Sequence, residues 1–151
     1  MEDFDFQETL EQLRNQFRVD VASLALVIPE EDHVLKWHYM SGNQNEHYKR
    51  IVLQSGHGLA GEVYRTGKPI IMPSVSDVIP RSEKYLYPIV QFEKLASCLV
   101  IPLFKRHRVE AVLLLATRNT GQCNEQMYDD VMDWIGARFG PFHATEIEPK
   151  L

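Results

Sequence analysis

Three stretches of this chain hold residue types that can do chemistry. Gly58-Leu59-Ala60-Gly61 opens a helical pattern directly after Ser55-Gly56-His57. A helix start presents unpaired backbone N–H groups and a partial positive charge, and small residues let an anion approach that backbone closely. Trp37 brings an indole N–H, a donor that cannot accept, at the end of a flat apolar ring. In Tyr87-Pro88-Ile89, the proline lacks an N–H and favours an extended Tyr87, which can turn the Ile89 amide inward. Each stretch also has a plain packing reading: a core aromatic on a strand, a turn entering a helix, and a kink in a loop.

Other reactive residue types are placed less usefully. The histidines at positions 33, 38, 47, 57, 107 and 143 show no metal spacing. His33 and His38 are five apart across a turn and a strand, which does not suit one zinc face, so all six read as surface or hydrogen-bonded side chains. Cys98 sits among Ala96, Ser97, Leu99 and Val100 and reads as a small core residue. Cys123 stands near a helix start, a position that can lower a thiol pKa. Two cysteines cannot form a disulfide framework or a four-thiolate zinc site. The chain has no glycine-rich phosphate loop with lysine and no nucleophile–base pair at motif spacing, so no catalytic and no metal residue is assigned.

The elements that must position these residues follow from periodicity. Phe6, Leu10, Leu13 and Phe17 recur at three- and four-residue steps and predict an amphipathic helix. Val21 to Ile28 is rich in branched aliphatics and predicts a buried strand; Val34 to Met40 alternates and predicts its half-buried hairpin partner. Ser41 to Asn45 closes that strand with turn formers, and Ile51 to Leu53 makes a short third strand. The helix opened by Gly58 stops at Gly67 and Pro69, and Ile70 to Met72 is a strand stub. The long connection through Asp77, Pro80 and Pro88 is of a length that is functional or partly helical in compact domains. Leu95 to Phe104 and Val109 to Thr117 are the strongest strands, joined by the basic turn Lys105-Arg106-His107-Arg108, which reads as solvated. Glu125 to Phe139 closes the pattern as a helix. Strands arriving as hairpins between terminal helices predict an α+β fold, with a mostly antiparallel central sheet of about five or six strands flanked by helices. No repeat or low-complexity tract interrupts it, so residues 1–142 are read as one domain and residues 143–151 as a polar tail.

Composition narrows the function classes. The 151 residues are 44% hydrophobic and 25% charged, enough for one ordinary core. Sixteen Lys and Arg against twenty-one Asp and Glu give a net charge of −5, which speaks against a nucleic-acid or anionic-membrane partner. No apolar run approaches the roughly 18 residues that span a bilayer. The acidic opening lacks the basic and apolar regions of a signal peptide, so a cytoplasmic protein is expected.

Several of these segments together resemble a known family. Val21-Ala22-Ser23-Leu24-Ala25-Leu26 before a hairpin, Gly58-Leu59-Ala60-Gly61, Thr66-Gly67-Lys68-Pro69-Ile70, Ile101-Pro102-Leu103 and Val112-Leu113-Leu114-Leu115 follow the order of a GAF domain, from about Phe6 to Phe139. GAF domains are ligand-sensing modules, and the resemblance implies that fold, with the terminal helices on one face of the sheet. Leu35-Lys36-Trp37-His38-Tyr39-Met40-Ser41-Gly42-Asn43, Tyr48 to Leu53, Tyr87-Pro88-Ile89 and Gly140-Pro141-Phe142 are similar to a narrower group, the free-standing bacterial nitrate receptors. That likeness implies a non-enzymatic cytoplasmic receptor. It would bind nitrate at Trp37, Leu59, Ala60, Tyr87, Pro88 and Ile89, and act with a sensor histidine kinase and a response regulator that control nitrate respiration. It implies no cofactor beyond the nitrate ligand, and it leaves pairing into a homodimer open. Two alternatives within the family are a free methionine-(R)-sulfoxide reductase, which works through several cysteines around its pocket, and a module sensing another small ligand. An interaction domain without a ligand is the third.

Overall fold

Asp5 sets the first element: its carboxylate accepts from the Glu8 amide at 3.0 Å and caps helix α1, Phe6–Phe17. In this computed structural model, residues 4–29, 31 and 33–146 are described. Strand β1 (Val21–Val27) and strand β2 (Val34–Ser41) form the expected hairpin. A 3-10 turn at His47–Arg50 leads into strand β3 (Val52–Gln54), then helix α2 (Gly58–Thr66) and strand β4 (Ile70–Met72). The long connection is helical for most of its length: α3 (Val75–Val78), a 3-10 segment (Arg81–Leu86) and α4 (Pro88–Glu93). Strands β5 (Ser97–Lys105) and β6 (Arg108–Thr117) make a second hairpin, closed by Arg106 and His107 at positive φ. Helix α5 (Glu125–Ile135) follows, capped by Asn124, whose side chain accepts from the Met127 amide at 3.0 Å. It ends four residues earlier than its apolar pattern predicts, because Gly136 at φ 45° breaks the helix.

The six strands pair in the order β3-β2-β1-β6-β5-β4, every neighbour antiparallel. The sheet separates two apolar groups. Leu10 and Leu13 of α1 join Val131 and Ile135 of α5 against Ala22, Leu24, Leu113 and Leu115, so the terminal helices share one face as expected. On the other face, Leu59, Ala60 and Val63 of α2 join Val75, Ile89 and Val90 against Ala25, Leu35, Trp37 and Val112. At the start of the polar tail, His143 and Phe104 exchange backbone hydrogen bonds of 2.7 and 2.8 Å. Residues 147–151 of that tail lie outside the described residues.

One irregularity matters for the site. Leu24 pairs with Tyr39 and Ala25 with Trp37, so His38 is an extra residue in β2, a β-bulge. Strict alternation would place Trp37 and Tyr39 on the same face. The bulge breaks the phase: Leu35, Trp37 and Met40 face α2, while Tyr39 turns to the terminal helices and meets Phe6 with ring centroids 5.5 Å apart.

Candidate functional site

The α2 face gathers four of the six residues singled out for ligand contact. Trp37, Leu59 and Ile89 are each 1% exposed and Ala60 is 0%, all within one buried apolar group. Tyr87 packs against that group from its margin. Pro88 takes a different place. It begins α4 and lines an outer groove with Val52, Tyr85 and Phe92.

The start of α2 is held by two close approaches. Gly58 sits at φ 69°, and a Cβ there would meet the Leu53 side chain at 2.9 Å. A Cβ on Gly61 would lie 2.3 Å from the Gln54 carbonyl oxygen, far inside any real contact, so only glycine lets α2 settle onto β3. Leu59 and Ala60 stand between these glycines, in the first turn, where amides have no partner within their own helix. Among the described residues no side chain caps this terminus. Helix α4 repeats the arrangement on a smaller scale. Tyr87 is non-helical (φ −127°, ψ 74°), Pro88 occupies the first helical position where an N–H is dispensable, and the Ile89 amide follows.

Trp37 completes the set. Its Nε1 is fully buried and has no hydrogen-bond partner among the described residues. Leaving such a donor unpaired costs about 1–3 kcal/mol, so native structures almost always satisfy it. Within the same buried group lie Leu59 and Ala60, in the first turn of α2, whose amides have no partner within their own helix, and apolar walls. That chemistry fits a small acceptor-only anion and needs no charged side chain.

One buried carboxylate carries no local signature in the residue pattern. Glu93, at the end of α4, is fully buried. Its Oε1 accepts from Arg118 Nη2 at 2.6 Å and from the Gln44 amide at 2.9 Å, and Arg118 Nε also donates to the Glu93 carbonyl at 2.9 Å. Asn45 Nδ2 donates to the Phe92 carbonyl at 2.9 Å. The C-terminal end of α4 is thus bolted to the exit of β2 and the end of β6.

The cysteines behave differently from one expectation. Cys98 is a core thiol as anticipated; burial, with Cys123 adding to it, pushes its pKa up to about 12. For Cys123, a place near a helix start can lower a thiol pKa. It is buried instead, and desolvation raises its pKa even though Ser97 and Thr117 hydrogen-bond to it. Both thiols are held in the unreactive form, the reverse of what a thiol nucleophile requires. Among the described residues, no group of three or more His, Cys, Asp or Glu could hold a metal ion. His33 Nδ1 lies 3.0 Å from the Tyr64 hydroxyl and His107 Nδ1 lies 3.0 Å from the Glu146 carbonyl, as hydrogen-bonded surface histidines. No helix among the described residues is long and apolar enough to cross a membrane.

A GAF domain model matches residues 5–134. The chain belongs to the GAF domain family. Among solved GAF structures, two forms of the NreA protein of Staphylococcus aureus, mutated in the nitrate binding site, are 39% and 34% identical to it. Their TM-scores are 0.72 and 0.76, over 76% and 85% of this chain and 83% and 96% of theirs. The free methionine-R-sulfoxide reductase of Neisseria meningitidis, solved with its substrate, is 20% identical with a TM-score of 0.67. That match covers 88% of this chain and 74% of the other, and at this identity it shows a shared GAF fold alone. No curated protein matches the chain.

Proposed function

We propose that this GAF domain is a nitrate receptor. Its nitrate would lie between the Trp37 indole N–H, the Leu59 and Ala60 amides at the start of α2, and the Tyr87-Pro88-Ile89 corner. One observation carries the reading: a buried tryptophan donor without a partner among the described residues, placed in the same apolar group as a helix terminus whose first amides have no partner within their own helix. The likeness to NreA at 34–39% identity supports it. Nitrate is planar, singly charged and weakly hydrated, so a few N–H donors and dry walls suffice, and bulkier tetrahedral anions are excluded by shape. Four heavy atoms at a ceiling of about 1.5 kcal/mol each give about −6 kcal/mol, a Kd of tens of micromolar.

The receptor acts without catalysis, in the cytoplasm. It reports nitrate to a sensor histidine kinase and response regulator that govern nitrate respiration. Nitrate can do this only by favouring one conformation or one partner-bound state over another. The segment from Val75 to Val90 supplies one wall of the site and is the element whose state nitrate would set. Titration calorimetry against nitrate, nitrite, sulfate and chloride tests the reading. Saturable binding of nitrate with none of sulfate is expected, and heats indistinguishable from dilution would end it. A free methionine sulfoxide reductase would instead need an accessible thiolate; turnover of free methionine-(R)-sulfoxide with dithiothreitol distinguishes the two, and none is expected.

A further inference from the structure

We infer that the groove between the edge strand β3 and helix α4 is a docking surface for an acidic, apolar-anchored segment of a partner protein. The groove encloses about 480 Å³ and is lined by His47, Arg50, Val52, Tyr85, Pro88 and Phe92 among others. Three of these are large apolar side chains left in solvent: Val52 at 56%, Tyr85 at 68% and Phe92 at 37% exposure. Apolar groups gathered around one concavity on a small protein mark an interaction site more often than chance exposure does. Strand β3 stands at the edge of the sheet, so its outer side has no strand beside it.

Charge decides the kind of partner. A second cleft of about 290 Å³ flanks the same helix, shares Gln91 with the groove and is lined by Lys84 and Lys94. Among the described residues neither cleft has a carboxylate in its lining, although the whole chain carries −5. Arg50 lines the groove on one side of the helix, and Lys84 and Lys94 line the cleft on the other, so cationic side chains border both sides of α4. Side chains so placed steer acidic segments in and reject basic ones. Aromatic and arginine side chains also dominate binding energy where they cluster at an interface.

The groove and the proposed nitrate site meet through α4, and the coupling between them rests on the nitrate reading. Ile89 is buried in the same apolar group as Trp37, and the adjacent Pro88 lines the groove. The far end of the helix is fixed by the Glu93–Arg118 pair. A ligand drawn to the Ile89 amide therefore acts on the turn that carries one wall of the docking surface.

The test pans a displayed library of random 16-residue peptides against the full chain, with and without nitrate, and measures enriched sequences by fluorescence anisotropy. Enriched peptides should be net negative with aromatic or aliphatic anchors. Arg50→Glu combined with Lys84→Glu, and separately Phe92→Asp, should each weaken them at least about tenfold. Circular dichroism checks that the variants fold, and Val52→Asp provides an independent change in the same groove. Nitrate should shift peptide affinity by at least about fivefold. No enrichment, basic or uncharged winners, binding that survives both Phe92→Asp and Val52→Asp, or self-association that these variants abolish would each overturn the docking surface. Acidic peptides bound in the groove of a chain that gives no calorimetric heat with nitrate would leave docking standing and remove the nitrate reading. Nitrate binding without peptide binding would do the reverse.

Discussion

Replacing Trp37 by Phe separates a ligand donor from a packing residue, because the two roles predict opposite signs. The indole is 1% exposed and its Nε1 has no partner among the described residues. If the ring only fills space, Trp37→Phe loses roughly 40 Å³ of packing, about 1 kcal/mol at about 24 cal/mol per Å³. If the unbound protein carries an unsatisfied N–H there, removing it also relieves about 1–3 kcal/mol of desolvation cost. The two nearly cancel, so the midpoint of guanidinium unfolding without nitrate should stay nearly constant or rise slightly. The complex should suffer, since a hydrogen bond to a charged group contributes about 1.5–3 kcal/mol. That corresponds to a roughly 10- to 150-fold rise in Kd for nitrate, from tens of micromolar to the millimolar range. Calorimetry on the two proteins at matched salt reads this directly. Unchanged affinity, or a large stability loss with affinity intact, would show that the indole packs and does not donate.

Ala60→Val places a branched side chain where the amide must be approached, and nitrate binding should fall at least tenfold in the same titration. Gly61→Ala forces a Cβ against the Gln54 carbonyl at 2.3 Å, so denaturant unfolding should show a loss of about 1–3 kcal/mol. Arg118→Leu strands the buried Glu93 carboxylate and should cost about 3–5 kcal/mol, much of it recovered in Arg118→Leu with Glu93→Leu, by the same measurement. Cys98 gives a pH dependence. Its folded pKa, about 12, lies above the ordinary 9.0, so its contribution to stability is complete below pH 9 and declines as pH rises from 9 towards 12. At pH 8 neither thiol should react with a thiol reagent until guanidinium unfolds the chain.

Much of this molecule is legible in sequence where one residue pattern admits one structure. The three- and four-residue steps from Phe6 to Phe17, and the aliphatic runs ending at Phe104 and Thr117, match α1, β5 and β6 within a few residues. The connection after Met72 was less legible: α3 and α4 are four and six residues long, too short for periodicity to register. The candidate site divides in the same way. Gly58 and Gly61 point to a tight helix start because glycine has a steric meaning at such a place. Pro88 gave no indication that it faces outward, and Glu93 none that it is buried, since both facts depend on how α4 lies against β2 and β6. Cys123 is illegible for a related reason: proximity to a helix start is local, whereas the desolvation that raises the thiol pKa comes from the packed core.

The surplus residue in β2 ties together two compartments that a sheet ordinarily keeps apart. Upstream of His38 the strand serves the indole side; just past it, Tyr39 leans on Phe6 beneath the first helix. Removing His38 would restore strict alternation with Trp37 and Met40 still on one face and Tyr39 on the other, so those destinations would hold while the local kink is lost. Gln7 and Arg14 of the opening helix donate to the Met40 carbonyl and the Ser41 hydroxyl, so the strand that carries the interior donor is also the one that anchors that helix.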